Sequence, residues 1–354
     1  MNGKKVLVAM SGGVDSSVAA YLLREQGYQV AGATMCLGIP QGGTIVASCC
    51  GPQAVEDARS VAGRLKIPHV VLDFSAELDS RVVEPFIQEY LKGRTPNPCV
   101  LCNQYLKYGK LMDFARQSGF DYLATGHYAR IQVAGTEYRL MCSRDQWKDQ
   151  TYFLYRIPRS QLANILFPLA DLTKNEVRRI AESAGLHVHD KPQSQDICFL
   201  PWGDYRSLIR DRMGGERPGF IVDQSGRVRG EHRGVYSYTL GQRKGLGLGG
   251  PENWYVTALV PEENKVVVGT FEESLARGLR ADRINLLVDR FPEEARVRVR
   301  YSQDTFPCRI ALQEGELTLI FPEPEAFVSP GQSAVLYQGE HVLGGGIITG
   351  IIRC

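Results

Sequence analysis

The chain has 354 residues, 44% of them hydrophobic and 23% charged, and its formal net charge is +2. This composition is typical of a folded protein with two or three domains, and so small a charge does not by itself indicate a nucleic-acid partner. No apolar run approaches the roughly 18 residues that cross a bilayer, and the apolar run near the N-terminus is too short for a signal peptide. We therefore expect a cytoplasmic protein with no membrane partner.

The first strand, turn and helix carry a phosphate-binding pattern. An apolar strand is predicted over residues 4–9 and a helix over 14–26, and they are joined by the turn Ser11-Gly12-Gly13-Val14-Asp15-Ser16. Glycine backbone beside the free N–H groups of a helix N-terminus forms a cradle for phosphate oxygens, and Asp15 adds a carboxylate suited to Mg²⁺. The turn lacks the Walker pattern. It resembles the loop of the ATP pyrophosphatases, which adenylate an oxygen and release pyrophosphate.

Strands and helices then alternate to about residue 126. Further strands are predicted over 29–35, 69–74 and 122–125, with helices over 53–65, 79–91 and 103–118. This order predicts an α/β domain with a parallel sheet, whose ligands lie beyond the carboxyl ends of the strands. The segment Thr125-Gly126-His127-Tyr128 ends one of these strands. It should therefore share a rim with the glycine-rich turn.

Composition divides the chain into three predicted domains. Helical patterns at 150–155 and 173–184 extend the first domain over residues 1–203, and Thr173 with Glu176 forms a capping box. The central domain, 204–276, is predicted to be β-rich. It is also basic, because residues 206–250 include nine Lys or Arg and only four acidic residues. The C-terminal domain, 277–354, is predicted to be an antiparallel β-barrel. Its strands are expected at 295–301, 308–312, 317–321, 333–337 and 347–351.

One of the barrel strands carries alternating arginines. Arg296, Arg298 and Arg300 are separated by single valines, so their guanidiniums should project from one strand face. Such a row is either a solvated face or a contact for RNA phosphates.

Nine cysteines are spread along the chain, and this odd number does not suggest a secreted disulfide framework. The motif Asn97-Pro98-Cys99-Val100-Leu101-Cys102 leads into the helix predicted from residue 103. Cys102 should therefore lie close to a helix N-terminus, where the dipole favours the thiolate, and is a candidate nucleophile. Cys198 lies in the segment 194–199, which is too polar for a core strand.

Metal binding offers another interpretation of the cysteines. Cys99 and Cys102 have the spacing of half a zinc site, but zinc would need a second pair. Neither Cys49-Cys50 nor His187-x-His189 supplies that pair. Three thiolates from Cys99, Cys102 and Cys198 would suit a [4Fe-4S] cluster, whose fourth position could carry sulfide. The residues alone leave this alternative open.

Together, these motifs resemble the tRNA-specific 2-thiouridylase family along almost the whole chain. Cys102 and Cys198 match its two catalytic cysteines. The matching ATP-binding residues are Ala9, Met10, Ser11, Gly12, Gly13, Val14, Asp15, Ser16, Met35 and Gly126. The positions that match contacts to the target base or to tRNA are Asn97, Pro98, Cys99, His127, Lys148, Asp149, Gln150, Arg300, Tyr301 and Gln332. Many relatives have Asp in place of Cys99, so a thiol stands where a candidate base for Cys102 is expected.

The resemblance implies a first domain of the adenine-nucleotide alpha hydrolase type (HUP or PP-loop) and 2-thiolation of the wobble uridine of Lys, Glu and Gln tRNAs. ATP, with Mg²⁺ near Asp15, would adenylate the uracil C2 oxygen. A persulfide on Cys198, loaded by a cysteine desulfurase or a sulfur-relay protein, would supply sulfur. Cys102 would either release sulfide from this persulfide or resolve it after attack on the base. Both routes end in a Cys102–Cys198 disulfide.

Two other functions are compatible with parts of the pattern. A PP-loop ligase or amidotransferase would adenylate a carboxylate and would need no cysteine pair. A non-catalytic RNA-binding module would carry a vestigial loop, although residues 11–16 are intact. Loss of activity in Cys102→Ser would exclude the first function, and tRNA-dependent release of pyrophosphate would exclude the second.

Overall fold

The computed structural model describes residues 3–41, 44–46, 51–191, 197–200, 204–249 and 253–353. Cys49, Cys50 and residues 192–196, which precede Cys198, lie outside these ranges. The chain forms two compact units. The first combines Met1–Val82, Cys99–Gly203 and Gly339–Val342, and the second combines Val83–Pro98, Asp204–Gln338 and Leu343–Cys354. Each unit is therefore built from segments that are far apart in the sequence.

The first 200 residues contain strands and helices in alternation. The elements are β1 (Lys5–Ala9), α1 (Val14–Glu25), β2 (Gln29–Cys36), β3 (Ile39–Gln41), β4 (Thr44–Val46), α2 (Gly51–Leu65), β5 (His69–Asp73), α3 (Ser75–Leu78), α4 (Glu84–Leu91), α5 (Pro98–Leu101), α6 (Met112–Gln117), β6 (Tyr122–Thr125), β7 (Arg130–Ala134), β8 (Glu137–Met141), β9 (Ile165–Leu166) and α7 (Lys174–Ser183). Asp79–Val83 and Cys102–Leu111 are π-helical, and Thr151–Phe153 and Arg159–Asn164 are 3-10 turns.

A parallel sheet forms the centre of the first unit. Its strand order is β5-β2-β1-β6-β9, and all neighbouring strands run parallel, which confirms the predicted sheet. Val6, Leu7 and Val8 of β1 are at most 1% exposed. Such a continuous apolar run is typical of a parallel strand that is covered on both faces. Within the same unit, the hairpin of β7 and β8 pairs with His341 through Met141.

The helix that carries the first cysteine motif begins earlier than predicted. Helical residues run without a break from Pro98 to Gln117. Proline is well accommodated at the first helical position, because its missing N–H would have no partner there. The predicted start at residue 103 is therefore wrong, and Cys102 lies one turn inside the helix. The helix predicted at 150–155 is also wrong, since the structure has only the short turn Thr151–Phe153 there.

The second unit contains the basic central region and the C-terminal strands. The further elements of the chain are α8 (Tyr205–Met213), β10 (Gly219–Asp223), β11 (Val228–His232), β12 (Tyr255–Val260), β13 (Lys265–Gly269), β14 (Ala276–Leu286), β15 (Glu294–Arg298), β16 (Phe306–Gln313), β17 (Glu316–Glu325), β18 (Ser333–Gln338) and β19 (His341–Ile352), with 3-10 turns at Val235–Ser237, Pro261–Glu263 and Glu272–Ser274. The second unit includes β19 from Leu343 onward. Four strands form the sheet β11-β10-β13-β12. The strands β14-β17-β16-β15-β18-β19 close into a barrel through pairing of β14 with β19, as predicted.

The row of arginines is shorter than predicted. Because β15 ends at Arg298, Arg300 lies beyond the strand. The guanidinium of Arg298 lies 5.4 Å from the centre of the Tyr337 ring. Arg300 donates hydrogen bonds to the Phe327 carbonyl (2.7 Å) and to Ser329 Oγ (2.6 Å). The three side chains therefore do not form a single row on one strand face.

None of the helices in the described ranges is both long and apolar enough to cross a membrane.

Candidate active site

The glycine-rich turn connects β1 to α1 at the carboxyl end of the sheet. Gly12 has φ +71°, and a Cβ atom there would lie 2.2 Å from the Ala54 carbonyl oxygen, so only glycine fits. Gly13 precedes α1, and no described side chain caps that helix. The hydroxyls of Ser16 and Ser17 both donate to the Gly13 carbonyl, at 3.2 and 2.8 Å. The turn therefore presents free N–H groups of a helix N-terminus, which fit the phosphates of ATP.

The strand β6, which neighbours β1, contributes a second segment to this rim of the sheet. β6 pairs with β1 so that Thr125 lies beside Ala9, which confirms that the two segments share one edge of the sheet. A Cβ atom on Gly126 would approach the Ser16 nitrogen to 2.6 Å. Gly126 is thus required for close contact between the two segments. Met35, at the end of β2, is half-buried, and its contact with adenosine stays a prediction.

Asp15 forms an ion pair that the sequence did not reveal. Lys174 Nζ lies 2.6 and 2.7 Å from the two carboxylate oxygens, and the Tyr128 hydroxyl donates to one of them at 3.0 Å. Thr173 and Glu176 form the predicted capping box, which fixes Lys174 as the first residue of α7. Burial lowers the pKa of Lys174, whereas Asp15 opposes this shift. Burial, followed by the Asp15 charge, raises the pKa of Tyr128, which therefore acts as a hydrogen-bond donor.

Mg²⁺ fits this arrangement in its chemistry but would have to share Asp15. A magnesium ion that also binds substrate phosphates needs only one or two protein carboxylates. Asp15 supplies one carboxylate beside the phosphate cradle, but both of its oxygens face Lys174. Within the described part of the chain, no three His, Cys, Asp or Glu side chains are grouped to hold a metal ion.

The two cysteines of the 99–102 motif are shielded from water to different degrees. Cys102 is 8% exposed, and its burial raises the pKa of its thiol, while Lys107 acts in the opposite direction. Part of Cys99 is exposed, but protein atoms around its sulfur, and then Cys102, raise its pKa to about 11. The expectation that the helix dipole favours the Cys102 thiolate is therefore wrong for the protein without its ligands, since desolvation is the larger effect.

His127 connects the cysteine helix to the sheet rim. His127 Nδ1 lies 2.8 Å from Thr125 Oγ1, and Nε2 lies 3.3 Å from Lys107 Nζ. Tyr108 OH lies 3.3 Å from His127 Nδ1. Burial holds the pKa of His127 well below its usual value, so the ring is neutral. Because an ammonium group only donates, we assign Nε2 as the acceptor and place the proton on Nδ1. Lys107 is thereby held on the side of the helix that faces His127.

The Lys107 ammonium group should control the reactivity of Cys102. In a Cys99→Ser background, Lys107→Met is expected to raise the pKa of Cys102 further, because the substitution removes the positive charge that opposes the effect of burial. Alkylation requires the thiolate, so the rate with iodoacetamide should fall at pH 8 and approach that of the parent at higher pH. Peptide mass spectrometry between pH 7 and 10 measures this rate. Lys110→Met is the matched control, because Lys110 belongs to the same helix and pairs with Glu77. Identical profiles of alkylation rate against pH for Lys107→Met and the parent would contradict the prediction.

Cys198 belongs to the first unit and is exposed. It lies in a turn closed by a hydrogen bond from the Leu200 N–H to the Ile197 carbonyl. Cys99, Cys102 and Cys198 all lie in the described ranges, and they are not grouped as a metal site. The residues therefore do not fit an iron–sulfur cluster in this arrangement. The convergence of Cys102 and Cys198 stays a prediction.

A second lysine, Lys191, also contacts the glycine-rich turn. Lys191 Nζ donates to the Gly12 carbonyl (3.1 Å) and to the Asp57 carboxylate (2.5 Å). Burial alone would raise the pKa of Asp57, but hydrogen bonds from Lys191, Gln53 and His187 hold it below its usual value. Lys191 immediately precedes the segment that leads to Cys198. This ion pair was not predicted, because 134 residues separate its partners.

The two histidines considered for zinc have other partners. His187 Nε2 lies 3.3 Å from Asp57, and His189 Nδ1 lies 3.0 Å from Asp190. They therefore do not form half of a zinc site in the described residues.

The predicted tRNA triplet lies on a turn that is joined to Tyr128. Gln150 and Tyr128 exchange two hydrogen bonds, at 2.9 and 3.0 Å. Asp149 is 3% exposed, and its oxygens accept bonds from the backbone N–H groups of Ser143 (2.9 Å) and Thr151 (3.2 Å). Its carboxylate thus stabilises the turn through these hydrogen bonds. Lys148 is half-buried, and contacts of the triplet with RNA stay predictions.

The remaining predicted contacts belong to the second unit. Gln332 Nε2 donates to the Thr95 carbonyl at 2.7 Å, and the Thr95 N–H donates to the Pro330 carbonyl at 2.8 Å. Gln332 therefore fixes the segment that leads through Asn97 and Pro98 to the first cysteine motif. Tyr301 is 39% exposed. A role in binding tRNA stays a prediction for these residues.

A parallel sheet with a Ser-Gly-Gly-x-Asp-Ser turn at its carboxyl rim defines an adenine-nucleotide alpha hydrolase domain of the PP-loop class. Three family models match successive parts of the chain. They are described as a tRNA methyl transferase HUP domain (residues 4–202), a tRNA methyl transferase PRC-barrel domain (207–270) and an aminomethyltransferase beta-barrel domain (276–348).

Curated relatives match over nearly the full length. The chain is 51% identical to tRNA-specific 2-thiouridylase MnmA 1 of Syntrophus aciditrophicus, covering 98% of this chain and 92% of the relative. It is 46% identical to tRNA-specific 2-thiouridylase MnmA of Carboxydothermus hydrogenoformans, covering 98% of this chain and 97% of that relative. The chain belongs to the tRNA-specific 2-thiouridylase family, which confirms the resemblance and the predicted fold class.

Proposed function

We propose that this protein is an ATP-dependent tRNA-uridine 2-sulfurtransferase of the cytoplasm, acting on the wobble uridine of Lys, Glu and Gln tRNAs. One observation carries the proposal: the intact phosphate loop, Cys102 and Cys198 all belong to a single compact unit. A ligase that adenylates a carboxylate would need the loop but neither thiol. The relatives named as 2-thiouridylases support the same reaction.

Activation of the base is the first step. The C2 carbonyl of uracil is a poor electrophile without a leaving group, so its oxygen attacks the α-phosphate of ATP, pyrophosphate departs, and AMP becomes the leaving group. Such a transfer depends on positioning and on stabilisation of phosphate charge. The N-terminus of α1 and the Lys174 ammonium provide positive potential beside the phosphates. When bound at Asp15, Mg²⁺ would neutralise further phosphate charge. Tyr128 and Lys174 hold the Asp15 carboxylate in place.

Transfer of sulfur is the second step. A cysteine desulfurase or a sulfur-relay protein would load Cys198 as a persulfide. In one route, the Cys102 thiolate attacks the inner sulfur of this persulfide, forms a disulfide and releases HS⁻, which adds to C2 and expels AMP. In the other, the outer sulfur attacks C2 and expels AMP, and Cys102 then attacks the inner sulfur. Both routes consume one persulfide and leave a Cys102–Cys198 disulfide, which a thiol reductant must reopen.

The test is reconstitution with a defined RNA. The purified protein is incubated with ATP, Mg²⁺, a reductant, a cysteine desulfurase with cysteine, and a transcript of a Glu, Gln or Lys tRNA. We expect 2-thiouridine by nucleoside mass spectrometry, with one pyrophosphate released per modified base. A transcript with cytidine at the wobble position is the matched control and should give neither product. Pyrophosphate release that requires a carboxylate substrate instead of tRNA would contradict the proposal.

A further inference from the structure

Trp147 is the large hydrophobic residue most exposed to solvent in the described ranges. It exposes 94% of its surface, and the next value in this group is 61%, for Val133. A solvent-exposed indole ring is a favourable contact surface, because aromatic rings bury a large area when a partner covers them. Its position in the fold indicates what that partner is.

The turn that carries Trp147 is held in place by hydrogen bonds. The Lys148 N–H donates to the Asp145 carbonyl at 3.0 Å, and Ser143 Oγ donates to the same carbonyl at 3.0 Å. The buried Asp149 carboxylate accepts from the backbone on both sides of the turn. The backbone that carries Trp147 is therefore held in place before any partner binds, which lowers the entropy lost on binding.

Both ends of this turn are joined to the residues around Asp15. The Lys174 N–H donates to Asp145 Oδ2 at 2.9 Å, and Lys174 Nζ pairs with Asp15. At the other end, Gln150 bonds to Tyr128, whose hydroxyl reaches Asp15. A group that stacks on Trp147 thus contacts a turn that is hydrogen-bonded to the residues around Asp15.

The charges near the ring favour an anionic polymer. Lys148 is the next residue, and it lies close enough to Lys174 to lower the pKa of that ammonium group. Arg144 lies three residues before the ring; it pairs with Glu176 at 3.4 Å, but its side chain is still 56% exposed. An exposed aromatic ring flanked by cations is the combination that binds single-stranded nucleic acid, in which bases stack on the ring and phosphates meet the cations.

We propose that Trp147 stacks on an unpaired base of the tRNA anticodon loop and so holds the loop against the adenylation site. This inference rests on the proposed function for the identity of the RNA. It adds a contact outside the triplet 148–150. A docked sulfur-donor protein is the competing occupant, and the experiment separates the two.

Affinity for a tRNA anticodon stem-loop tests the proposal. Trp147→Ala should weaken binding by on the order of tenfold, and Trp147→Phe should restore most of it, because stacking needs an aromatic face. The slope of log affinity against log salt should stay unchanged in Trp147→Ala, whereas Lys148→Ala should reduce it by about one phosphate contact. Val133→Ala, an exposed apolar residue of the same unit, is the matched control and should bind like the parent.

Two outcomes would overturn the inference. One is unchanged stem-loop affinity in Trp147→Ala with retained ATP binding. In the other, Trp147→Ala keeps its stem-loop affinity and forms 2-thiouridine normally from inorganic sulfide, but it no longer does so with sulfur from a cysteine desulfurase. That result would mean that Trp147 contacts the sulfur-donor protein. If the parent protein binds the stem-loop through Trp147 but never forms 2-thiouridine, the stacking contact stands and the proposed function fails.

Discussion

Replacing either Cys102 or Cys198 by serine should abolish formation of 2-thiouridine, with a loss of at least about a thousandfold, while tRNA-dependent release of pyrophosphate continues. In the proposed mechanism the two thiols transfer sulfur and take no part in adenylation of the base, and the phosphate loop does not include them. A serine hydroxyl neither carries a persulfide nor attacks one under these conditions. The measurements are nucleoside mass spectrometry and a pyrophosphate assay on the same reaction.

The control for the cysteine variants is Cys142→Ser. Cys142 is a half-buried thiol of the same unit, and its sulfur lies 3.8 Å from Thr151 Oγ1, a contact that a hydroxyl can also make. This variant should form 2-thiouridine like the parent. Wild-type product formation in either Cys102→Ser or Cys198→Ser would remove the two-thiol mechanism, and loss of pyrophosphate release in both would place the thiols in the adenylation step instead.

Removal of the Lys174 ammonium group should have its largest effect on adenylation. In Lys174→Ala, tRNA-dependent pyrophosphate release at saturating ATP should fall by about 10² to 10³, the usual cost of deleting one group that stabilises charge in a transition state. The loss should appear mainly in kcat, because the N–H groups of α1 remain available to bind ATP. Steady-state kinetics of pyrophosphate release give both constants.

Arg179→Ala is the matched control, because Arg179 is an exposed cation of the same helix. It should retain parental kinetics. Lys174→Ala also leaves Asp15 without its counter-ion, so thermal melting must accompany the assay. A folded Lys174→Ala protein that releases pyrophosphate at the parental rate would show that the pair with Asp15 is structural only.

The elements that could be predicted from the sequence are those fixed by local pattern. The apolar run of β1, the glycines at 12 and 13 and the capping box at Thr173 each depend on residues that are close in the chain. The order of strands and helices then requires a parallel sheet, and that sheet places the loop and Gly126 at one rim. This is why the position of the glycine-rich turn beside Gly126 was predictable from the sequence, whereas the contacts of these residues with ATP stay predictions.

The parts that could not be predicted depend on distant partners or on burial. Lys174 reaches Asp15 across 159 residues, and no local signal marks that ion pair. The shielding of Cys102 depends on packing of the assembled helix, so its position near the helix N-terminus does not predict the direction of its pKa shift. The sequence does not distinguish Asp149 from its polar neighbours, because its burial inside the turn depends on backbone donors at Ser143 and Thr151.

The interleaved path of the chain has a practical consequence for dissecting the protein. A fragment that ends at residue 203 would carry Val83–Pro98 without the rest of its unit, so Phe86 and Tyr90 would lose the ring of Tyr205 that they contact. The same fragment would lack His341, the strand partner of Met141. No single cut yields both units whole, so the proposed steps of activating and thiolating the base are best separated by point substitution in the intact polypeptide.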